Sequence, residues 1–266
     1  MIEVPLIDIG CNLTHDSFDR DREQVIRHAA QAGVRQLVIT GASEAGSEQA
    51  LELARHYPGH LFATAGVHPH RAADYTDRTD QHLRELLLEP QVVAVGEAGL
   101  DYFRDISPRK VQRQAFESQI QIAIDTGLPM FLHQRDAHQD FFALLKSARK
   151  EISRVVVHCF TDTREALHDY LDIDCHIGIT GWICDERRGF HLKELVADIP
   201  ANRLLVETDS PYLKPRNLRP KLKSNRNEPR LLPWIVGTIA ACRDESPRLT
   251  AVNSTNAARE FFSLPD

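Results

Sequence analysis

Short apolar runs alternate along the chain with longer segments whose apolar positions recur at helical spacing. Eight such runs, at 4–9, 35–40, 60–65, 92–95, 129–132, 154–157, 176–179 and 203–206, are close to continuously apolar. That is the pattern of strands covered on both faces. Between them, segments at 18–32, 43–57, 108–127, 136–150, 162–171 and 189–198 predict helices, and two more at 229–242 and 247–262 close the chain. Gly33 and Gly127 stand where helix C-termini favour glycine, and Pro108 suits a first helical turn. Eight strand-then-helix units in 266 residues predict an α/β chain folded as a (β/α)8 TIM-like barrel, with residues 1–266 forming a single domain. An open doubly wound sheet would carry a glycine-rich phosphate turn after an early strand. Neither G-x-G-x-x-G nor G-x-x-x-x-G-K-[ST] occurs.

Composition narrows the setting. Hydrophobic residues make up 42% and charged residues 26%, which excludes a largely disordered chain. No stretch approaches about 18 consecutive apolar residues, so no membrane span is expected. Residues 1–11 carry Glu3 and Asp8 and lack a basic start, so no secretory signal is expected. The net charge of -6 argues against coating nucleic acid or anionic lipid by bulk charge. An anionic substrate must then be gripped by a local patch or a bound metal. The five cysteines include no C-x-x-C pair, which fits a reducing cytoplasm and speaks against a disulfide framework or a cysteine zinc site.

In such barrels chemistry sits at the C-terminal ends of the strands. Those positions hold Glu97, His133, His158 and Asp209. Two imidazoles and two carboxylates form a donor set for a divalent cation. A bound cation lowers the pKa of water, a carboxylate such as Glu97 can bridge two cations, and Asp209 can also take the proton of an attacking water. Any one of these residues alone reads as a structural histidine or a helix cap. Four at corresponding ends of four strands read as a metal site.

Six stretches carry a resemblance: GVHPH at 66–70, GEAGLDY at 96–102, LHQRDA at 132–137, VVHCF at 156–160, ETDSPYL at 207–213 and RNEP at 226–229. Together, and in this order, they resemble the TatD family of metal-dependent nucleases within the amidohydrolase-like barrels. The resemblance implies a hydrolase that cuts phosphodiester bonds with one or two divalent metals. It implies metal ligands at Glu97, His133, His158 and Asp209, with Glu97 and Asp209 catalytic. It further implies 3′-5′ exonuclease polarity on single-stranded DNA, extending to RNA, in DNA repair or nucleic-acid degradation. One departure matters. Amidohydrolase-like barrels commonly open with an H-x-H pair, and the same place here reads Gly10-Cys11-Asn12. Asn12 and Glu207 are left as weak ligands or supports. A site poorer in nitrogen points to Mg2+, with Mn2+ and Zn2+ as alternatives.

Residues 214–230 hold seven cations and one acid, Glu228, directly after the last strand-end motif. Lys221, Lys223 and Arg226 are therefore read as phosphate contacts, the competing reading being a solvated loop, and for Arg226 a structural role, since its RNEP context resembles the family motif. Arg135 is placed to fork onto a phosphate oxygen, and His68 to contact phosphate or protonate a leaving oxygen. Tyr102, Phe103, Phe160 and Trp182 stand on the same loops and can stack bases or cap the core. The partner expected is single-stranded nucleic acid, acted on by a monomer. A zinc amidohydrolase or lactonase for a small molecule is the alternative, but it calls for the missing H-x-H pair and has no use for a basic rim. A non-catalytic barrel would be expected to lose Glu97 or Asp209.

Overall fold

The computed structural model describes residues 4–266. In chain order it contains β1 (Leu6–Cys11), α1 (Arg22–Gln31), β2 (Val34–Ile39), α2 (Glu44–Arg55), β3 (Leu61–Ala65), α3 (Asp77–Leu86), β4 (Val92–Asp101) and α4 (Arg109–Thr126). There follow β5 (Met130–Arg135), α5 (His138–Ala148), β6 (Val155–Val157), α6 (Arg164–Asp172), β7 (His176–Ile179), α7 (Leu192–Leu195), β8 (Leu204–Val206), α8 (Leu232–Cys242) and α9 (Pro247–Phe262). The eight strands lie in one sheet in the order β1 to β8, with parallel pairing. This is the strand order of a (β/α)8 barrel, as the alternation of runs predicts. No helix among the described residues is long and apolar enough to cross a membrane.

Among the described residues two compact units emerge, one of residues 4–39, 159–161 and 177–266, the other of 40–158 and 162–176. In the second, β4 is buried over its whole length, and β3, β5 and β6 supply further buried apolar side chains such as Leu61, Phe131 and Val156. Long side chains of α4 and α5 pack on one another, with Phe116 and Phe141 stacked at 5.1 Å between centroids. In the first unit, β1 and β8 are joined where both end. The amide of Asp209 donates to Gly10 O at 2.8 Å, and that of Asn12 to Ser210 O at 2.7 Å.

The predicted strands recur within a few residues, with one instructive exception. β4 was expected to stop at 95 and instead runs to Asp101. Gly96 and Gly99 sit at φ 144 and 137, and the register against β5 shifts between Val95 and Ala98. Glycines that read as a strand end mark an irregular stretch inside the strand. The helix prediction failed at α3, which was not anticipated. Its sequence, DRTDQHLREL, is mostly polar and buries only Thr79, Leu83 and Leu86, so its apolar content is low even though those positions share one face. It starts instead on a capping box between Thr76 and Thr79. The segment expected as helix 18–32 begins with a short 3-10 turn at Asp16–Phe18, and the helix proper starts at Arg22. Helix 189–198 shrinks to Leu192–Leu195. Ser43 caps α2, accepting from Gly46 N at 3.1 Å.

A buried carboxyl lies between β1 and β8. Asp8 accepts from the amide of Thr208 at 2.8 Å, and its other oxygen lies 2.6 Å from the Thr208 hydroxyl. Burial pushes its pKa up to about 8, against partial relief from these bonds. A neutral carboxyl in the fold becomes a charged one when the chain unfolds at neutral pH. Between about pH 4 and pH 8 the folded state therefore holds the proton more tightly, and this group lowers stability as pH rises through that window.

Two predictions follow from these placements. Asp8→Asn keeps the acceptor at Oδ1 for the amides of Thr208 and, at 3.4 Å, Gly10, and can donate to the Thr208 hydroxyl. In urea unfolding of metal-stripped protein, the variant should gain on wild type steadily from pH 5 to pH 8. A constant difference across that range would contradict a neutral Asp8. Separately, Gly127→Ala should cost about 1 kcal/mol in the same assay. The residue closes α4 at φ 70 with open space around it, so the cost is conformational alone.

Candidate metal centre

Four strands of the second unit deliver the site. His68 follows β3, Glu97 lies within β4, His133 lies in β5 and His158 follows β6. The β4–β5 register pairs Gly99 with His133, two residues along from Glu97. A side chain at Gly99 would run into the backbone oxygen of His133, so glycine permits this close approach.

Three imidazoles converge on one carboxylate oxygen. Glu97 Oε1 lies 2.8 Å from His158 Nε2, 3.3 Å from His133 Nδ1 and 3.4 Å from His68 Nε2. Donor atoms of His68, Glu97 and His133 all lie within 4.8 Å of one another. Burial alone would raise the Glu97 pKa, but the electrostatic pull of the His68 and His158 rings and hydrogen bonds from His133 and His158 hold it well below the usual carboxylate range. Burial, reinforced by the neighbouring imidazoles, takes His68 down to about 3, so it is a neutral imidazole at physiological pH. His133 moves the other way: burial disfavours its charge, yet hydrogen bonds to Asp101 and Glu97 raise its pKa.

Asp101, at the end of β4, completes the arrangement. Its Oδ2 lies 3.3 Å from His133 Nε2 and 2.7 Å from His70 Nε2, while its Oδ1 accepts from the amide of Arg104 at 2.8 Å. His133 is thus held at one ring nitrogen by a carboxylate while the other faces the Glu97 cluster. Metal-ligating histidines are oriented in this manner. Imidazole nitrogens and a carboxylate, converging from rigid strand ends, fit a divalent cation. A cation would relieve a donor cluster that otherwise rests on shared protons.

His68 was expected to touch phosphate or protonate a leaving group. It stands instead among the converging donors, and a neutral imidazole is a ligand and not an acid. Asp101 and His70 were not singled out from the sequence. The signal was present: Glu97 and Asp101 are four residues apart on one strand and so share a face. It was hidden because β4 was ended at 95.

The remaining residues fall in the first unit, except Arg135. Asp209 Oδ1 accepts from Asn12 Nδ2 at 3.0 Å, with the Asp209 backbone at φ 52, a conformation that aspartate tolerates better than most residues. Glu207 is fully buried and accepts from the amide of Cys159 at 2.6 Å, which fixes the turn at Cys159. Arg135 lays its guanidinium 3.8 Å above the Phe103 ring, which is 55% exposed. Lys221 and Lys223 are exposed. Arg226 follows the structural one of its two readings. It forks onto both oxygens of Asp21 at 2.9 and 2.7 Å, and reaches Glu228 at 3.0 Å and Ser17 O at 2.6 Å. Those bonds occupy a guanidinium read as a phosphate contact and make it an anchor for its loop.

Known proteins place this chain. Residues 7–263 match the sequence model described as TatD related DNase. A protein of Erwinia billingiae named 3′-5′ ssDNA/RNA exonuclease TatD is 48% identical over 260 residues, covering 98% of this chain and 100% of that protein. The protein of the same name from Escherichia fergusonii is 45% identical, covering 97% and 99%. Among solved structures, the TatD homolog YjjV of Escherichia coli K12 superposes with a TM-score of 0.89 at 27% identity over 98% of both chains. A TatD family hydrolase of Entamoeba histolytica does so with 0.87 at 25% identity over the full length of both. The chain belongs to the TatD-related DNase family.

Proposed function

We propose that this protein is a divalent-metal-dependent nuclease that removes nucleotides from the 3′ end of single-stranded DNA or RNA. The observation that carries the reading is the convergence of His68, His133 and His158 on the buried Glu97 carboxylate. It occurs in a chain 48% identical, over nearly its full length, to a protein named 3′-5′ ssDNA/RNA exonuclease. Glu97, His133, His158 and Asp209 are assigned as ligands for one or two ions, with His68 joining them. The missing H-x-H pair points to Mg2+, while three imidazoles beside two carboxylates suit Mn2+ or Zn2+ as well, so all three ions enter the test. When bound, the cation supplies a Lewis acid that polarises phosphoryl oxygen and acidifies water.

The chain's own residues supply the rest. Glu97 offers an acceptor held ionised by its imidazole neighbours. Asp101 fixes the ring of His133 through its Nε2, so that Nδ1 stays directed at Glu97. Asp209 takes the proton of the attacking water, with Asn12 Nδ2 orienting its Oδ1. Arg135, stiffened by stacking on Phe103, offers its in-plane N–H groups to a non-bridging phosphate oxygen. Lys221 and Lys223 meet backbone phosphates away from the scissile bond. The enzyme works as a monomer in the cytoplasm, in repair or degradation of nucleic acid.

Metal-stripped protein incubated with 5′-labelled single-stranded DNA or RNA tests this reading. Mg2+, Mn2+ or Zn2+ is added separately. The expected product is a ladder shortening from the 3′ end, with none under chelator. A protein that cuts neither polymer with any of the three ions overturns it. Glu97→Gln and His158→Ala should each lower turnover by about 10²-fold or more while circular dichroism stays native, because each removes a donor from a rigid strand end. Asp209→Asn should lower the maximal rate by about 10²-fold and affinity much less. Loss confined to affinity would reassign Asp209 to substrate positioning.

A further inference from the structure

The first unit contains a cavity of about 720 Å³ between the segment after β7 and the loop after β8. Its walls carry Arg187, Lys214, Arg216, Arg219 and Lys221 together with the indole of Trp182. Arg188 adds a sixth cation, and the opposing acids are Asp185 and Glu186. On a chain of net charge -6 this concentration of positive charge is local, not a consequence of composition.

The walls are also organised. Asp185 is buried and accepts from the amides of Arg187 and Arg188 at 3.0 and 3.3 Å. It pairs with Arg188 Nε at 2.9 Å and Arg216 Nε at 3.1 Å. Each arginine is engaged through Nε, which leaves the outer edge of its guanidinium for another acceptor. One carboxylate thus aligns two half-exposed cations. Arg188 also lies 4.7 Å above the Trp182 ring, whose Nε1 donates to Arg188 O at 3.2 Å, so the indole is held in place. Lys214 ties the loop together by donating to the carbonyls of Leu222 and Ser224.

We infer that this cleft is a binding site for single-stranded nucleic acid, separate from the Glu97 cluster, in which Trp182 stacks a base and the arginines and Lys221 hold flanking phosphates. A row of cations with one fixed aromatic matches a flexible polyanion carrying bases, whereas a free phosphate would use only part of it. The assignment extends the nuclease reading and rests on it for the identity of the polymer.

Trp182 makes the site directly observable, since the chain has two tryptophans and Trp234 is the other. In a Trp234→Phe background under chelator, a fifteen-residue oligothymidylate should quench Trp182 fluorescence saturably. Thymidine monophosphate and inorganic polyphosphate should quench much less. Adding Arg187→Ala and Lys221→Ala should flatten the plot of log affinity against log salt by about 1.4, at ~0.7 per lost phosphate contact. In otherwise wild-type protein, Trp182→Leu should weaken oligonucleotide binding, read by anisotropy, by roughly tenfold, the scale of one stacked base. No quenching by oligothymidylate, equal quenching by polyphosphate, or an unchanged salt slope overturns the cleft. Cleavage of a dinucleotide by wild-type protein is followed in parallel. A protein that cleaves while Trp182 stays silent loses the cleft and keeps the nuclease reading; one that quenches but cleaves nothing loses the nuclease reading.

Discussion

A carboxylate kept ionised out of water is the constraint around which the second unit is arranged. Glu97 is 7% exposed, and stripping a charge of its water costs several kcal/mol unless partners replace it. Here the replacement comes from three imidazoles delivered by three other strands. None can be supplied by β4 itself, so the compensation exists only when β3, β4, β5 and β6 are assembled. Asp101 extends the same logic one step outward. It is buried, and hydrogen bonds from His133, Arg104 and His70 outweigh the burial that would otherwise raise its pKa. Function and folding therefore draw on the same contacts, and the donor atoms reach their places before any cation arrives.

The parts of this arrangement that could be read from sequence are those in which residue type and strand end coincide. His133, His158 and Glu97 each follow or close an apolar run, and the hydrophobic pattern locates such runs well. The signal fails where glycine has two meanings. Gly96 and Gly99 mimic a strand terminus, although they let the strand continue past irregular backbone and close against His133. Asp101 stands within the quoted GEAGLDY motif and His70 within GVHPH, but only the geometry shows that each meets the other. Helix α3 was missed for a related reason: it is specified by a capping box and by few buried positions, and a periodicity search weighs only the second. The placement of His68 beside Glu97 and His133 needed geometry, because a histidine at a strand end looks the same in a sequence whichever group it faces.

Among the cations after β8, the RNEP context already sets Arg226 apart from Lys221 and Lys223, and the structure shows what it does instead. Arg226 meets two carboxylates and two of the bonds are a planar fork, a geometry lysine cannot reproduce. Its charge is consumed within the fold. Lys221 faces a cavity with other cations and stays exposed, an arrangement that is electrostatically unfavourable for the chain alone. Asp185 and Glu186 balance only part of this cluster of like charges, and the remainder raises the free energy of the unliganded state. Cations that stabilise a loop and cations left exposed are therefore distinguished by their partners, not by their number.

Asp8 and Glu97 show how burial alone leaves a carboxyl's charge undecided. Both are removed from water, yet one rises to about 8 and the other falls well below its usual range. The difference lies in what surrounds them. Asp8 meets a hydroxyl, two amides and the nearby carboxylate of Glu207, so polar contacts only partly offset its desolvation. Glu97 meets imidazoles, which can carry the compensating positive charge. A neutral Asp8 can bridge Thr208 to β1 without a counter-ion, whereas an ionised Glu97 cannot be left without one. The two carboxyls thus divide the work of the strand ends. One fastens β8 to β1 beside Asp209 as an uncharged hydrogen-bonding group, and the other holds a concentrated negative charge where a cation can be bound.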